Sequence, residues 1–133
     1  NPRNDDNFKN LKDSALNGQN KNTNKLLSTT MLDVEKIPLY LHSLNQNLIK
    51  IKELIHLSKG SNLNNAIDKI KPPVFWKEKP NILLQAKLWN IEKIKEGLQK
   101  IYDVEVKSKS NMVINKNILF KKLILDICLL ANS

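Results

Sequence analysis

The sequence predicts an all-α fold, a single compact bundle of about six or seven helices over residues 1–133, and three observations carry that reading. Apolar residues recur every three or four positions, most clearly as Leu41, Leu44, Leu48, Ile51 and Ile55, the spacing that lines one side of a helix. Glycine contributes only 3 residues and aromatic residues 5%, which leaves little material for a series of hairpins or for glycine-rich phosphate loops. Prolines and good capping residues stand at the edges of the periodic stretches rather than inside them, where they start and stop helices.

In chain order, Phe8, Leu11, Ala15 and Leu16 follow Asn4, Asp5 and Asp6, which suit a helix start, and Gly18 offers a left-handed exit. A first helix is expected over about 4–17. A polar, Asn-rich turn comes next, then Leu26, Leu27 and Met31 mark a short second helix ended by Asp33. Pro38 suits the first turn of a long third helix that runs to Lys59-Gly60. Ser61 is the expected N-cap of a short helix with Leu63, Ala66, Ile67 and Ile70, and Pro72-Pro73 closes it. Two prolines cannot continue a helix and bias Lys71 to an extended conformation, so 71–78 is a break. Pro80 opens the next short helix. Asn90 caps a longer one carrying Ile91, Ile94, Leu98 and Ile101, with Glu105 and Lys109 spaced for an ion pair and Ser110-Asn111 suited to the end. The last helix, about 115–131, is apolar on nearly every side, so it needs cover from this core, from a neighbouring chain, or from both.

Composition bounds the functional classes. The chain has 22 Lys and Arg against 13 acidic residues, a net charge of +9 and a pI near 9.7, which favours polyanionic surroundings. Its abundance of Asn, Lys and Ile matches an AT-rich coding bias, which dilutes that inference. No apolar run reaches the ~20 residues that cross a bilayer, and nothing at Asn1-Pro2 reads as a signal peptide, so a soluble, cytoplasmic domain cut from a longer protein is expected. The lone Cys128 lies among Ile127, Leu129 and Leu130, a packing position in a reducing compartment.

The run Lys71-Pro72-Pro73-Val74-Phe75-Trp76-Lys77-Glu78-Lys79-Pro80, followed by Leu84-Gln85-Ala86-Lys87-Leu88-Trp89, resembles a Pro-Pro-Val-Phe-Phe segment and downstream Trp in the delta subunits of bacterial DNA polymerase III clamp loaders. Glu105 to Lys109, Asp13-Ser14-Ala15-Leu16-Asn17-Gly18 and Pro38-Leu39-Tyr40-Leu41 are similar to further stretches of that family, so the likeness spans nearly the whole chain. Trp76 stands where the family usually has Phe, Glu78 where a basic residue is frequent, and 17–24 matches loosely. The resemblance implies the C-terminal collar, a helical domain without an ATPase site that joins delta, delta prime and three gamma or tau subunits into a ring of five. The family's sliding-clamp contact lies in an N-terminal portion that this sequence does not include.

Several residues are candidates for function. Phe75 and Trp76 beside Lys77 and Lys79, held out of helix by prolines, either stack bases and neutralise phosphates or plug the core. Within a clamp loader this loop would face primer-template DNA, with Lys109 as a further contact. Lys93, Lys95, Lys100, Lys107 and Lys109 form a basic helix face diluted by Glu92 and Glu96, which reads as solvated surface. Trp89 is expected in the core. Subunit contacts are expected from the last two helices, with Phe120, Leu123, Ile127 and Leu130 as the interface. His42 and His56 lack partners at metal-ligand spacing, and no P-loop, catalytic triad or paired-carboxylate motif stands out, so neither cofactor, metal nor enzyme activity is expected. The alternative is a free-standing basic helical module that binds nucleic acid directly.

Overall fold

The computed structural model describes residues 2–110 and 113–133. They form seven α-helices: α1 Pro2–Leu16, α2 Asn20–Thr29, α3 Ile37–Leu57, α4 Leu63–Ala66, α5 Lys79–Leu88, α6 Ile91–Ser108 and α7 Lys116–Asn132. Single 3-10 turns occupy Val34–Lys36, Ile67–Lys69 and Trp76–Glu78, and no strand occurs among the described residues.

The stripe on α3 explains the architecture. Leu41, Leu44, Leu48, Ile51 and Leu54 are buried completely or nearly so, and α3 packs against α6, α5 and α4. Helix α7 lies against α1, α6 and α2 on the other side. Phe120, Leu123, Ile124 and Ile127 of α7 fill the space between them. Phe8 of α1, Tyr40 of α3 and Phe120 of α7 meet as a ring cluster, Phe8 stacked on Tyr40 at 4.2 Å and Tyr40 5.5 Å from Phe120. Such ring pairs add ~0.5–1.5 kcal/mol beyond area burial. Gly97 marks a close approach: a Cβ there would lie 3.0 Å from Leu48 Cδ1, so a side chain at that point would require the Leu48 methyl to shift.

Helix boundaries follow local chemistry, with some differences from expectation. Helix α1 starts at Pro2, so Asn4, Asp5 and Asp6 lie inside its first turns rather than at its start; proline already fits a first helical position. The segment read as an Asn-rich turn is largely helix α2, because Thr23 and Leu27 reach the core. Met31 lies beyond that helix and is exposed, and Asp33 instead caps the following 3-10 turn, its Oδ1 accepting from Glu35 N at 3.0 Å. The cap of α4 is Asn62, not Ser61: Asn62 Oδ1 accepts from Asn65 N at 2.8 Å. Asn90 and Asn115 cap α6 and α7 in the same way, accepting from Lys93 N at 2.8 Å and Ile118 N at 3.1 Å. Helix α6 ends at Ser108, and Asn111 lies outside the described residues. Gly18 has φ +70°, the left-handed exit that ends α1.

Polar side chains tie the helices together. Gln85 of α5 is buried and accepts from Asn47 Nδ2 at 2.8 Å while donating to Asn17 Oδ1 at 3.1 Å. Asn17 donates to Asn81 Oδ1 at 3.2 Å, and Asn81 to Asp13 Oδ2 at 3.3 Å. This amide chain links the end of α1 with α3 and α5, and it satisfies the groups that burial would otherwise penalise. The indole of Trp89, between α5 and α6, donates to the carbonyl of Leu16 at 2.9 Å, closing a backbone acceptor that the end of α1 leaves open.

Candidate functional site

The proline-rich break places its aromatic residues outward. Lys71 to Phe75 run without helix, the Lys71–Pro72 peptide is cis, and the chain re-enters helix through the 3-10 turn Trp76–Glu78. Val74 is buried and anchors the segment, whereas Phe75 is 58% and Trp76 67% exposed. Neither ring therefore plugs the core. Their centroids are 5.9 Å apart, and Lys77 Nζ stands 5.4 Å from the Trp76 ring centroid, within range of a cation–π attraction. An exposed ring pair with an ammonium beside it can stack on a planar group and pair with an anion.

The neighbouring charges are partly committed. Lys79 Nζ lies 2.7 Å from Asp68 Oδ1, and Glu78 takes an ion pair from Lys9 at 2.9 Å. Lys77, with exposed Lys71 at the start of the break, thus carries the local positive charge. Lys109 sits just beyond α6, and its ion pair is with Glu105 on that helix, at 4.0 Å; such exposed pairs contribute ~0.2–1 kcal/mol at most. The prolines keep only residues 71–75 out of helix: Trp76 and Lys77 lie in the 3-10 turn and Lys79 is the first residue of α5, not part of a non-helical stretch as expected, because the chain turns back into helix directly after Phe75. Of the basic residues on α6, Lys93 turns back to the protein, its Nζ donating to the carbonyls of Leu88 at 3.0 Å and Ser133 at 2.7 Å. Lys95 and Lys107 are exposed. Trp89 is 3% exposed, a core residue as expected.

The expected subunit interface needs correction. Phe120, Leu123, Ile127 and Leu130 are all buried inside this domain, because the core-facing side of α7 meets α1 and α6; a partner cannot reach them while the bundle is intact. The outward side carries Ile118, Leu125 and Leu129, exposed by 64, 36 and 61%. Offsets of seven and then four residues keep them on one stripe of the helix. Tyr102 and Val106, four apart on α6, are exposed as well. Sequence periodicity missed this division because α7 is apolar on nearly every side, and its few charged residues, Lys121, Lys122 and Asp126, do not mark out one polar face.

His42 and His56 are both exposed on α3, and among the described residues no group of three His, Cys, Asp or Glu side chains is placed to hold a metal ion. Cys128 is buried, its thiol donating toward Asn20 Oδ1 at 3.1 Å. Burial pushes its pKa up, against a smaller opposing effect of the hydrogen bond to Thr23. No described helix is long and apolar enough to cross a membrane. Comparison of the chain with protein-family models, with curated proteins and with solved structures gives no match.

Proposed function

We propose that the chain is a non-catalytic assembly module, the helical collar of a clamp-loader delta subunit, which joins delta prime and gamma or tau subunits in the ring that loads the sliding clamp during DNA replication. The observation that carries the assembly reading is α7: one side lies in the bundle core, and the other presents Ile118, Leu125 and Leu129 to solvent. Lys122 shares that outward side, and three exposed apolar residues at helical spacing on a helix whose other side is buried mark a protein contact. Helix α6, packed on α7, adds Tyr102 and Val106. The choice of clamp loader rests on the resemblance carried by residues 71–89 and the shorter stretches described above.

Co-expression with delta prime and gamma or tau tests this reading. A stable complex is expected, weakened by Ile118→Glu and Leu129→Glu, whereas the same charge at exposed Asn64 leaves it intact. A folded chain that ignores those subunits overturns the proposal. Exposed Phe75 and Trp76 favour a second reading, direct binding of nucleic acid. Tight binding of an oligonucleotide by the isolated chain, steeply weakened by salt and lost in Phe75→Ala, would favour that module over the collar.

A further inference from the structure

We propose that the open groove between α1, α3 and residues 71–78 docks a short acidic peptide carrying an apolar side chain. This surface is separate from the outward stripe of α7 and does not depend on the collar reading. The groove encloses about 690 Å³, the scale of a site that holds a few side chains. Its lining includes Phe8, Tyr40, Val74 and Ile82, four residues that are all part of the core, and Phe75 and Leu39 extend the apolar surface outward as exposed side chains. That surface suits one inserted aliphatic or aromatic group.

Charge selects the ligand. Lys12 and Lys50 line the same groove, and Lys12 Nζ donates to Ser43 Oγ at 3.1 Å. Burial lowers the pKa of Lys12, and the positive charges of Lys9 and Lys50 lower it further, with Asp13 and Glu78 opposing. A partly desolvated ammonium gains from an incoming carboxylate what burial takes from it. An ammonium also has three donors, and Ser43 occupies one.

The same charges argue against a nucleic-acid strand in this groove. Lys9 is committed to Asp13 at 2.8 Å and to Glu78 at 2.9 Å, and Glu78 lines the groove from the 71–78 segment, so a carboxylate and its paired lysine stand among the other cations of the lining, Lys12, Lys36 and Lys50. A phosphodiester backbone requires a row of unneutralised cations. One or two carboxylates on a peptide require only Lys12 and Lys50, with Gln46 and Asn47 on the lining to hydrogen-bond its backbone.

The test is an amide chemical-shift titration of the 133-residue chain with a pool of short synthetic peptides combining Asp and Glu with Leu, Ile and Phe. Matched pools carrying Asn and Gln in place of the acids, and an oligothymidylate, run in parallel. Shifts confined to Lys12, Ser43, Lys50 and Phe75 with the acidic pool are expected. Lys50→Gln and Lys12→Gln should each weaken binding by about fivefold or more, and Lys69→Gln, at an exposed position, should leave it unchanged. Thermal melts identify a variant that is unfolded, and the rim substitution Lys50→Gln then decides the matter. Absence of shifts at millimolar acidic peptide, equal response to the neutral pool, or stronger shifts at these residues from oligothymidylate each overturn the proposal.

Discussion

Replacing Trp89 by Phe tests the junction on which the bundle turns. The indole is 3% exposed and its Nε1 donates to Leu16 O at 2.9 Å in a buried setting. Phenylalanine keeps a ring but has no donor, so the Leu16 carbonyl loses its partner, at a cost of ~1–3 kcal/mol. The smaller ring also leaves a void beside Gly97, where an added Cβ would lie 3.4 Å from Trp89 Cζ3, adding ~1–2 kcal/mol. The expected loss is about 3 kcal/mol, a large share of the ~5–15 kcal/mol that stabilises a typical domain, and it lowers the melting temperature by roughly 10 °C at this length. Urea unfolding followed by circular dichroism measures it, with Trp76→Phe as the control. Trp76 is 67% exposed, so its replacement stays within ~0.5 kcal/mol of the parent. Equal effects of the two substitutions, or a loss below ~0.5 kcal/mol for Trp89→Phe, would refute the buried hydrogen bond.

Three further outcomes follow from particular contacts. Gly18→Ala forces a side chain into φ +70° and brings its Cβ to 2.8 Å from Asn132 Oδ1, so denaturant titration should show a loss of about 2 kcal/mol, from left-handed strain together with the displaced contact. Lys12 has a folded pKa below its usual 10.5, chiefly through burial. The charged form is therefore a burden at neutral pH that is relieved as pH rises through the folded pKa toward 10.5. Lys12→Met should thus be the more stable form at pH 7, with its advantage shrinking as the titration nears pH 10.5; a constant difference across that range would contradict the linkage. Cys128 is buried with a raised pKa, so an aromatic disulfide reagent should label it in native buffer at least ~10³-fold more slowly than in urea, the reaction proceeding through unfolding.

Local signals located most elements because they depend on neighbours in sequence. Pro38 and Pro80 lie in the first turns of α3 and α5, Asn90 caps α6, and Pro72-Pro73 interrupts the helices, all readable from residue types. The errors fell where two local solutions compete: Ser61 and Asn62 are both good caps, and only the geometry of Asn65 N selects the second. The Asn-rich stretch read as a turn because its residues favour turns in isolation. It is helix because Thr23, hydrogen-bonded to Ser14 at 2.8 Å, and Leu27 are buried against the bundle.

The candidate surfaces divide in the same manner. That an α-helix is interrupted before Phe75, Trp76 and Lys77 is legible in the sequence, since the prolines beside them act locally; the 3-10 turn that holds Trp76 and Lys77 is not. That the two rings point to solvent while Val74 and Trp89 do not is a tertiary outcome. The groove with Lys12, Ser43 and Lys50 left no mark in the sequence because residues on different helices meet only after packing. Helix α7 shows the limit most directly: its composition required cover on every side, and the bundle covers Phe120, Leu123 and Ile127 while leaving Ile118 and Leu129 open. Helical pitch and capping chemistry, fixed within a turn or two of chain, determined that there are helices here and roughly where they end. Which side of each helix meets another, and which remains free for a partner, was decided by the filling of one shared core, because burial depends on residues far away in sequence.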